Sequence, residues 1–141
     1  MALPNGAGGY QVGAGNSSEF VMGVAPAPAT ATATATLTAA QLQTGLILGS
    51  PGTSPATYTL PTVALLEANM SNARVDSTIE FSVINVDGSG SGVITIGAGT
   101  GWTVGTSGSQ GLMTVAATAG TAARFRGRKT GETTWALYRV A

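Results

Sequence analysis

The chain has 141 residues, a formal net charge of zero and only 9% charged residues, a length that suits one domain with a modest core. It contains no histidine and no cysteine, which excludes Ser-His-Asp triads, cysteine nucleophiles, disulfides and zinc sites built from Cys and His. Since the chain also lacks the overall positive charge on which non-specific nucleic-acid binding depends, we expect no direct nucleic-acid partner.

The first 35 residues are predicted to form an extended N-terminal arm. Residues 1–35 are rich in Gly, Pro, Ala and Thr and hold a single charged residue, Glu19. Residues 25–28 contain two prolines and favour polyproline II, whereas residues 30–36 alternate between Thr and Ala, which favours β structure. A free-standing tail usually has more charge and fewer large apolar groups, so we favour an arm that adds a strand to a neighbouring subunit. Its candidate interface residues are Tyr10, Phe20, Thr30, Thr32 and Thr34.

Residues 36–141 are predicted to form one domain, which begins with two short helices and two short strands. Thr38 is placed to cap a helix over residues 39–44, and Gly45 is placed to end it. A second helix is predicted from residue 61 or 62 to about residue 69, with Val63, Leu66 and Met70 on one face. Residues 46–48 and 58–60 are predicted to be extended.

The rest of the domain is predicted to be β. Apolar and polar residues alternate over residues 77–85, and residues 93–96 are predicted to pair back on them as a hairpin. Further strands are predicted over residues 102–104, 112–117, 121–128 and 132–140. About seven strands, Gly-rich turns and one or two short helices indicate an all-β fold, a small β-sandwich or jelly roll, in preference to a closed eight-stranded barrel.

The last two predicted strands suggest a specific register. A three-residue loop over residues 129–131, closed by a glycine, suits a type I turn with a bulge. This loop pairs Phe125 with Trp135 and Ala123 with Leu137, which are favourable cross-strand pairs, and Arg128 with Glu132. Phe125, Trp135 and Leu137 then face the core.

The opposite face of the same strand would carry the only basic cluster, made of Arg124, Arg126 and Arg128 with Lys129 next in sequence. Two interpretations remain open with equal weight. The arginines could form a solvated face of an edge hairpin, or an inter-subunit surface that pairs with a partner's carboxylates, for which arginine is well suited. Arg124, Arg126 and Arg128 are therefore candidate interface residues.

Patterns that resemble catalytic or ligand sites are better explained as turns. Residues 97–101 are Gly-rich, but a strand follows where a dinucleotide-binding loop needs a helix. Asp87 lies in a Gly/Ser turn without the further carboxylates that calcium prefers. No pair among the six acidic residues is marked out for glycoside hydrolysis. We therefore expect no enzyme activity, no cofactor and no metal. We also expect no membrane partner, because no apolar run approaches the length of a membrane helix.

Three stretches of the sequence resemble a module that is common in structural proteins of tailed bacteriophages, notably marine ones. Their order along the chain carries the resemblance, and together they span about residues 36–141. The stretches are residues 36–42 through 56–62, residues 81–85 through 99–103, and residues 124–131 through 135–139. A single module of this kind behind an arm resembles a capsid decoration (cement) protein.

This resemblance implies a role in the virion and trimers, and it carries no catalytic residues over to this chain. The leading hypothesis is a non-enzymatic homotrimer on the capsid exterior that binds the major capsid protein, stabilises the assembled head and crosses neighbouring subunits with its arm. The alternative is a tail fibre or adhesin domain that binds host-surface glycan on an exposed aromatic side chain, Trp102 or Tyr58. A hydrolase that uses Glu80 or Glu67 is the least favoured hypothesis.

Overall fold

The computed structural model describes residues 23–105 and 108–141, so the predicted interface residues Tyr10 and Phe20 lie outside the described residues. The described part contains ten strands, two short α-helices and a 3-10 turn at Gly108–Gln110. The helices are α1 (Ala39–Gln43) and α2 (Val63–Ala68). The strands are β1 (Ala29–Ala31), β2 (Ala35–Thr36), β3 (Leu46–Gly49), β4 (Ala56–Thr59), β5 (Thr78–Asn85), β6 (Ile94–Gly97), β7 (Trp102–Val104), β8 (Thr114–Val115), β9 (Thr121–Lys129) and β10 (Trp135–Arg139).

The chain alternates between two sheets from β1 to β8. One sheet has six strands in the order β1-β3-β5-β9-β10-β7, and the other has four in the order β2-β4-β6-β8. Strands β1, β3 and β5 pair in parallel, and so do β2, β4 and β6, so this part of the chain winds as stacked coils. Strand β9 pairs antiparallel with β5, and β8 pairs antiparallel with β6, which closes the last coil.

This mixed topology corrects two sequence predictions. The β-rich class with two short helices is confirmed, but the jelly roll is not. Jelly rolls are antiparallel, whereas five of the eight strand pairings among the described residues are parallel. The predicted hairpin between residues 77–85 and 93–96 is wrong, because β6 joins the other sheet and pairs with β4 and β8. The Gly/Ser-rich connection crosses from one sheet to the other.

The first two coils repeat one local pattern. Thr38 and Thr62 each accept a hydrogen bond from a backbone N–H at the start of α1 and α2, and the Thr38 cap confirms the prediction. Leu42 and Leu66 occupy corresponding places in the two helices, and both are buried. Gly45 ends α1 with a φ of +74°, which glycine adopts without steric cost. The helices thus fill the same place in successive coils.

Ala29–Ala31 and Ala35–Thr36 form edge strands of these two sheets, although the Thr/Ala alternation predicted that residues 30–36 would pair with a neighbouring subunit. Strand β1 pairs with β3, and β2 pairs with β4 of the same chain. The outward carbonyl of Thr30 accepts a hydrogen bond from the Gln41 side chain at 3.2 Å, which occupies part of the free edge of β1. One side of each strand is therefore paired within its own chain, and the outer edge of β1 is partly occupied by Gln41.

The hairpin of β9 and β10 has a longer loop than predicted. Trp135 pairs with Lys129 and Leu137 with Gly127, instead of Phe125 and Ala123. Each partner lies four residues further along β9 than predicted. Because side chains alternate with period two, this even shift leaves every residue on its predicted face. Phe125, Trp135 and Leu137 are indeed fully buried.

The two sheets and both helices share one hydrophobic core. Phe81 and Phe125 stack with ring centroids 5.6 Å apart, and Trp102 and Trp135 lie 5.6 Å apart with tilted rings. Asn85 is a fully buried polar residue that the sequence analysis did not identify. Its side chain donates to two backbone carbonyls and accepts from the Gly88 N–H at 2.7 Å, so it joins the end of β5 to the turn that follows.

Candidate interface

The outer face of the six-stranded sheet brings three arginines together. Arg124, Arg126 and Arg128 alternate along β9 with buried residues, and their side chains are 54%, 48% and 45% exposed. The period of two that predicted this face also places Glu80 of β5 directly beside Arg126. We call this set the arginine face: Arg124, Arg126, Arg128, Glu80 and Asp76.

The acids that pair with these arginines come from the same chain. Glu80 Oε1 lies 2.6 Å from a terminal nitrogen of Arg126 and also accepts from its Nε at 2.7 Å, while Glu80 Oε2 lies 3.5 Å from Arg124 Nε. The Arg126 hydrogen bond holds the pKa of Glu80 below its ordinary value. Arg128 pairs with Asp76, and this hydrogen bond raises the pKa of Arg128. Since the pairs are exposed, they contribute little to folding stability.

Charge on the arginine face is therefore only partly balanced. Three guanidinium groups against two carboxylates leave one positive charge, and Arg124 has the longest of the ion-pair contacts, at 3.5 Å. A guanidinium carries five N–H donors, so Arg124 retains donors for a carboxylate outside this chain. The three arginines are thus solvent-exposed and Arg124 has unused pairing capacity, while their role as an inter-subunit surface stays a prediction.

Partly exposed aliphatic side chains adjoin the arginine face. Leu48 of β3, Ile84 of β5 and Ala122 of β9 lie side by side across the sheet, and Leu46 lies in the row of Ser82 and Arg124. Leu46, Leu48 and Ile84 are each of intermediate exposure. The outer sheet face therefore offers an aliphatic strip next to arginine, a residue that is enriched in protein–protein interfaces.

The predicted threonines are only partly brought to this surface. Thr30 is exposed on β1 beside Leu48, at the edge of the same sheet. Thr32 and Thr34 lie in the connection between β1 and β2, and the Thr34 hydroxyl accepts from the Thr57 N–H at 3.0 Å. Of the three, Thr30 alone shares the sheet face with the arginines.

The exposed aromatic platform predicted for a glycan-binding domain is wrong for both residues. Trp102 is 7% exposed and donates from Nε1 to the Pro61 carbonyl at 2.9 Å. Tyr58 is fully buried and donates to the Ala31 carbonyl at 2.8 Å, and burial raises its pKa. Both aromatic side chains are part of the core, because their strands face inward at these positions.

A polar cluster that was not predicted from the sequence lies on the inner side of the same sheet. Lys129 is 6% exposed and pairs with Glu67 of α2, which also accepts from Trp135 Nε1 at 2.8 Å. These hydrogen bonds hold the pKa of Glu67 below its ordinary value. The sequence contained a signal for this position. Lys129 lies four residues after buried Phe125, so a strand predicted to continue through residue 129 would have placed Lys129 on the same inward face.

Over residues 23–105 and 108–141, no group of three or more acidic side chains is close enough to hold a metal ion. No helix in this part of the chain is long and apolar enough to cross a membrane. Comparisons with protein-family models, with characterised proteins and with solved structures found no match to this chain.

Proposed function

We propose that this chain is a non-enzymatic decoration (cement) protein of a phage capsid, which binds the exterior of the assembled head as a homotrimer and stabilises it. The observation that carries the proposal is the outer face of the six-stranded sheet, where partly exposed Leu46, Leu48 and Ile84 adjoin Arg124. The sequence resemblance to phage structural modules supports the same role.

Such a protein would act by mass action. A ligand that binds the assembled shell and not its free subunits lowers the free energy of the shell, by an amount that grows with the ratio of free ligand to Kd. A trimer that engages several subunits at once gains further from effective concentration. Small aliphatic side chains and an arginine with free N–H donors suit this role. Weak contacts that are repeated around a shell sum to a large binding free energy, although each binding site is small.

The state of the carboxylates supports a binding role over a hydrolytic one. Glu80 is bound by two arginines and keeps a lowered pKa, so at neutral pH it has no proton to give as a general acid. Glu67 is likewise ionised and bound by Lys129 and Trp135. Neither residue has the raised pKa that a glycosidase acid requires.

The first experiment is the copy number of this protein in purified virions of the phage that encodes it, by quantitative peptide mass spectrometry against the major capsid protein. A number comparable with that of the major capsid protein supports decoration. A handful of copies per particle instead supports the alternative of a tail fibre or adhesin domain. Absence from the virion contradicts both.

A charge-reversal variant tests the surface itself. Arg124→Glu should weaken binding to capsids that lack the protein by more than about tenfold, since a like charge at the centre of an interface is costly. Arg74→Glu is the matched control, with the same change of charge at an exposed position outside the arginine face. Equal binding by Arg124→Glu and Arg74→Glu would exclude the arginine face as the capsid contact.

A further inference from the structure

Glu67 is fixed in position by two groups of the core. Lys129 Nζ and Trp135 Nε1 both bind the same carboxylate oxygen, Oε1, and the tryptophan bond is 2.8 Å long. The Lys129 side chain is 7% exposed and Trp135 is fully buried, whereas the Glu67 side chain is 25% exposed. The carboxylate therefore has one oxygen turned to buried donors and one edge open to solvent.

The second oxygen, Oε2, keeps its acceptor capacity, because no residue of the described part of the chain donates a hydrogen bond to it. A buried ion pair of this kind adds little stability over a well-packed apolar pair. Its clear structural effect is that the Glu67 carboxylate is held rigid at the surface. Rigid, preorganised polar groups of this type are what ligand sites use to fix orientation.

A groove of about 470 Å³ opens beside this carboxylate, within the range of about 300–1,000 Å³ that is usual for small-molecule sites. Threonines supply most of its polar groups, and Val63 and Ala64 supply apolar surface. The polar lining residues are Glu67, Thr62, Thr100, Thr133 and Thr134.

Close backbone contacts hold the walls of the groove together. The Val63 N–H donates to the Thr100 carbonyl at 2.9 Å, and the Trp135 N–H donates to the Gly101 carbonyl at 2.9 Å. Gly101 has a φ of +91°, and a Cβ at this position would lie 2.7 Å from a Val63 methyl group. A glycine is therefore required where the loop after β6 meets α2, so the groove is built into the fold.

The charges around the groove select the chemistry of its ligand. Glu67 forms an ion pair with Lys129, so the groove carries no net charge that would favour a cation or an anion. A neutral ligand with several hydroxyls could donate to Oε2, exchange hydrogen bonds with threonine hydroxyls, which both donate and accept, and lay its C–H surface on Val63. We propose that this groove is a binding site for a neutral saccharide, oriented by a hydroxyl that donates to Glu67 Oε2.

The proposal is independent of the capsid role and is tested on the purified full-length protein. Titrations by calorimetry and saturation-transfer NMR would use glucose, galactose, mannose and N-acetylglucosamine, with glucosamine and glucuronate as the charged comparators. At least one neutral sugar should bind with a Kd of about 1–10 mM, more tightly than both charged sugars. Methyl glycosides of the sugar that binds distinguish two kinds of natural ligand. A site for a glycan residue binds the methyl glycoside as tightly as the free sugar, whereas a site that holds the anomeric hydroxyl of a free sugar binds the glycoside more weakly.

Variants that leave the Glu67 cluster intact locate the site. Thr133→Val and Thr100→Val should each weaken binding by about threefold to tenfold, the effect of one lost hydrogen bond. Thr103→Val, at an exposed position of β7, is the matched control and should bind as the original chain does. The proposal is overturned if no neutral sugar binds, if a charged sugar binds more tightly, or if Thr133→Val and Thr100→Val bind like the control.

Discussion

Breaking the Glu67–Lys129 pair should have an asymmetric cost, because the two side chains differ in burial. In Glu67→Gln the amide keeps the shape of the carboxylate, but the Lys129 ammonium, 7% exposed, loses its counterion. Removing one partner of a buried pair usually costs about 3–5 kcal/mol. We expect about 3 kcal/mol, the low end, since the Glu67 edge of the pair is 25% exposed and admits some water.

The reverse change should cost less. In Lys129→Met the buried charge is removed, and the Glu67 carboxylate keeps the Trp135 hydrogen bond and its access to solvent. We expect a loss of about 1 kcal/mol. The double variant Glu67→Gln/Lys129→Met should lie within about 1 kcal/mol of the original chain, because it leaves no unpaired buried charge and the amide oxygen at position 67 can still accept from Trp135 Nε1.

Urea unfolding at pH 7, followed by tryptophan fluorescence at one fixed protein concentration, measures these free energies. With an m-value of about 1.5 kcal/mol per molar urea, a loss of 3 kcal/mol lowers the midpoint by about 2 M. Glu132→Gln, at an exposed loop position, is the matched control and should leave the midpoint unchanged. The argument from burial is refuted if Glu67→Gln costs no more than Lys129→Met, or no more than Glu132→Gln.

Three further predictions concern stability. Gly101→Ala should cost at least about 2 kcal/mol, because its φ is positive and its Cβ would overlap α2, whereas Gly52→Ala, also at positive φ but in open space, should cost about 1 kcal/mol; thermal unfolding of both distinguishes strain from overlap. Asn85→Ala should cost about 2–4 kcal/mol, since the buried Gly92 carbonyl and the Ala116 carbonyl lose their donor and the Gly88 N–H loses its acceptor. Equal melting temperatures would contradict this. Hydrogen bonds hold the pKa values of Glu67 and Asp87 below their ordinary values of 4.5 and 3.8. The folded state therefore binds fewer protons at these groups than the unfolded state, and their stabilisation is lost as the pH falls below the ordinary values. Melting temperatures should fall with acidification over this range, and less steeply in Asp87→Asn.

Features that depend on neighbouring residues could be predicted from the sequence. Thr38 caps α1 and Gly45 ends it, because a cap needs a side chain or a φ value only at that position. The predicted hairpin assigned Phe125, Trp135 and Leu137 to the core, and they are buried, since successive side chains of any strand point to opposite faces. The arginine face followed from the same rule.

Features that depend on the choice of a distant partner could not be predicted. A Gly/Ser-rich connection after β5 suits a hairpin and a crossover equally well, so nothing local placed β6 in the second sheet. The Thr/Ala alternation before residue 37 indicates a strand but does not indicate which strand it pairs with, so this segment was predicted to belong to an arm. Its partners, β3 and β4, are parallel strands reached only after the chain has turned through a helix or loop.

The two candidate sites also differ in whether local sequence could predict them. The arginines of β9 share a face by period alone, so the sequence determined that they lie together. Glu67, by contrast, meets Lys129 and Trp135 across 62 and 68 residues of chain. The sequence by itself determined the strands, caps and faces, because their energies are local. Only the tertiary structure decided the sheet partners, the burial of Trp102 and Tyr58 and the groove beside Glu67, because these depend on which strands stack around one shared core.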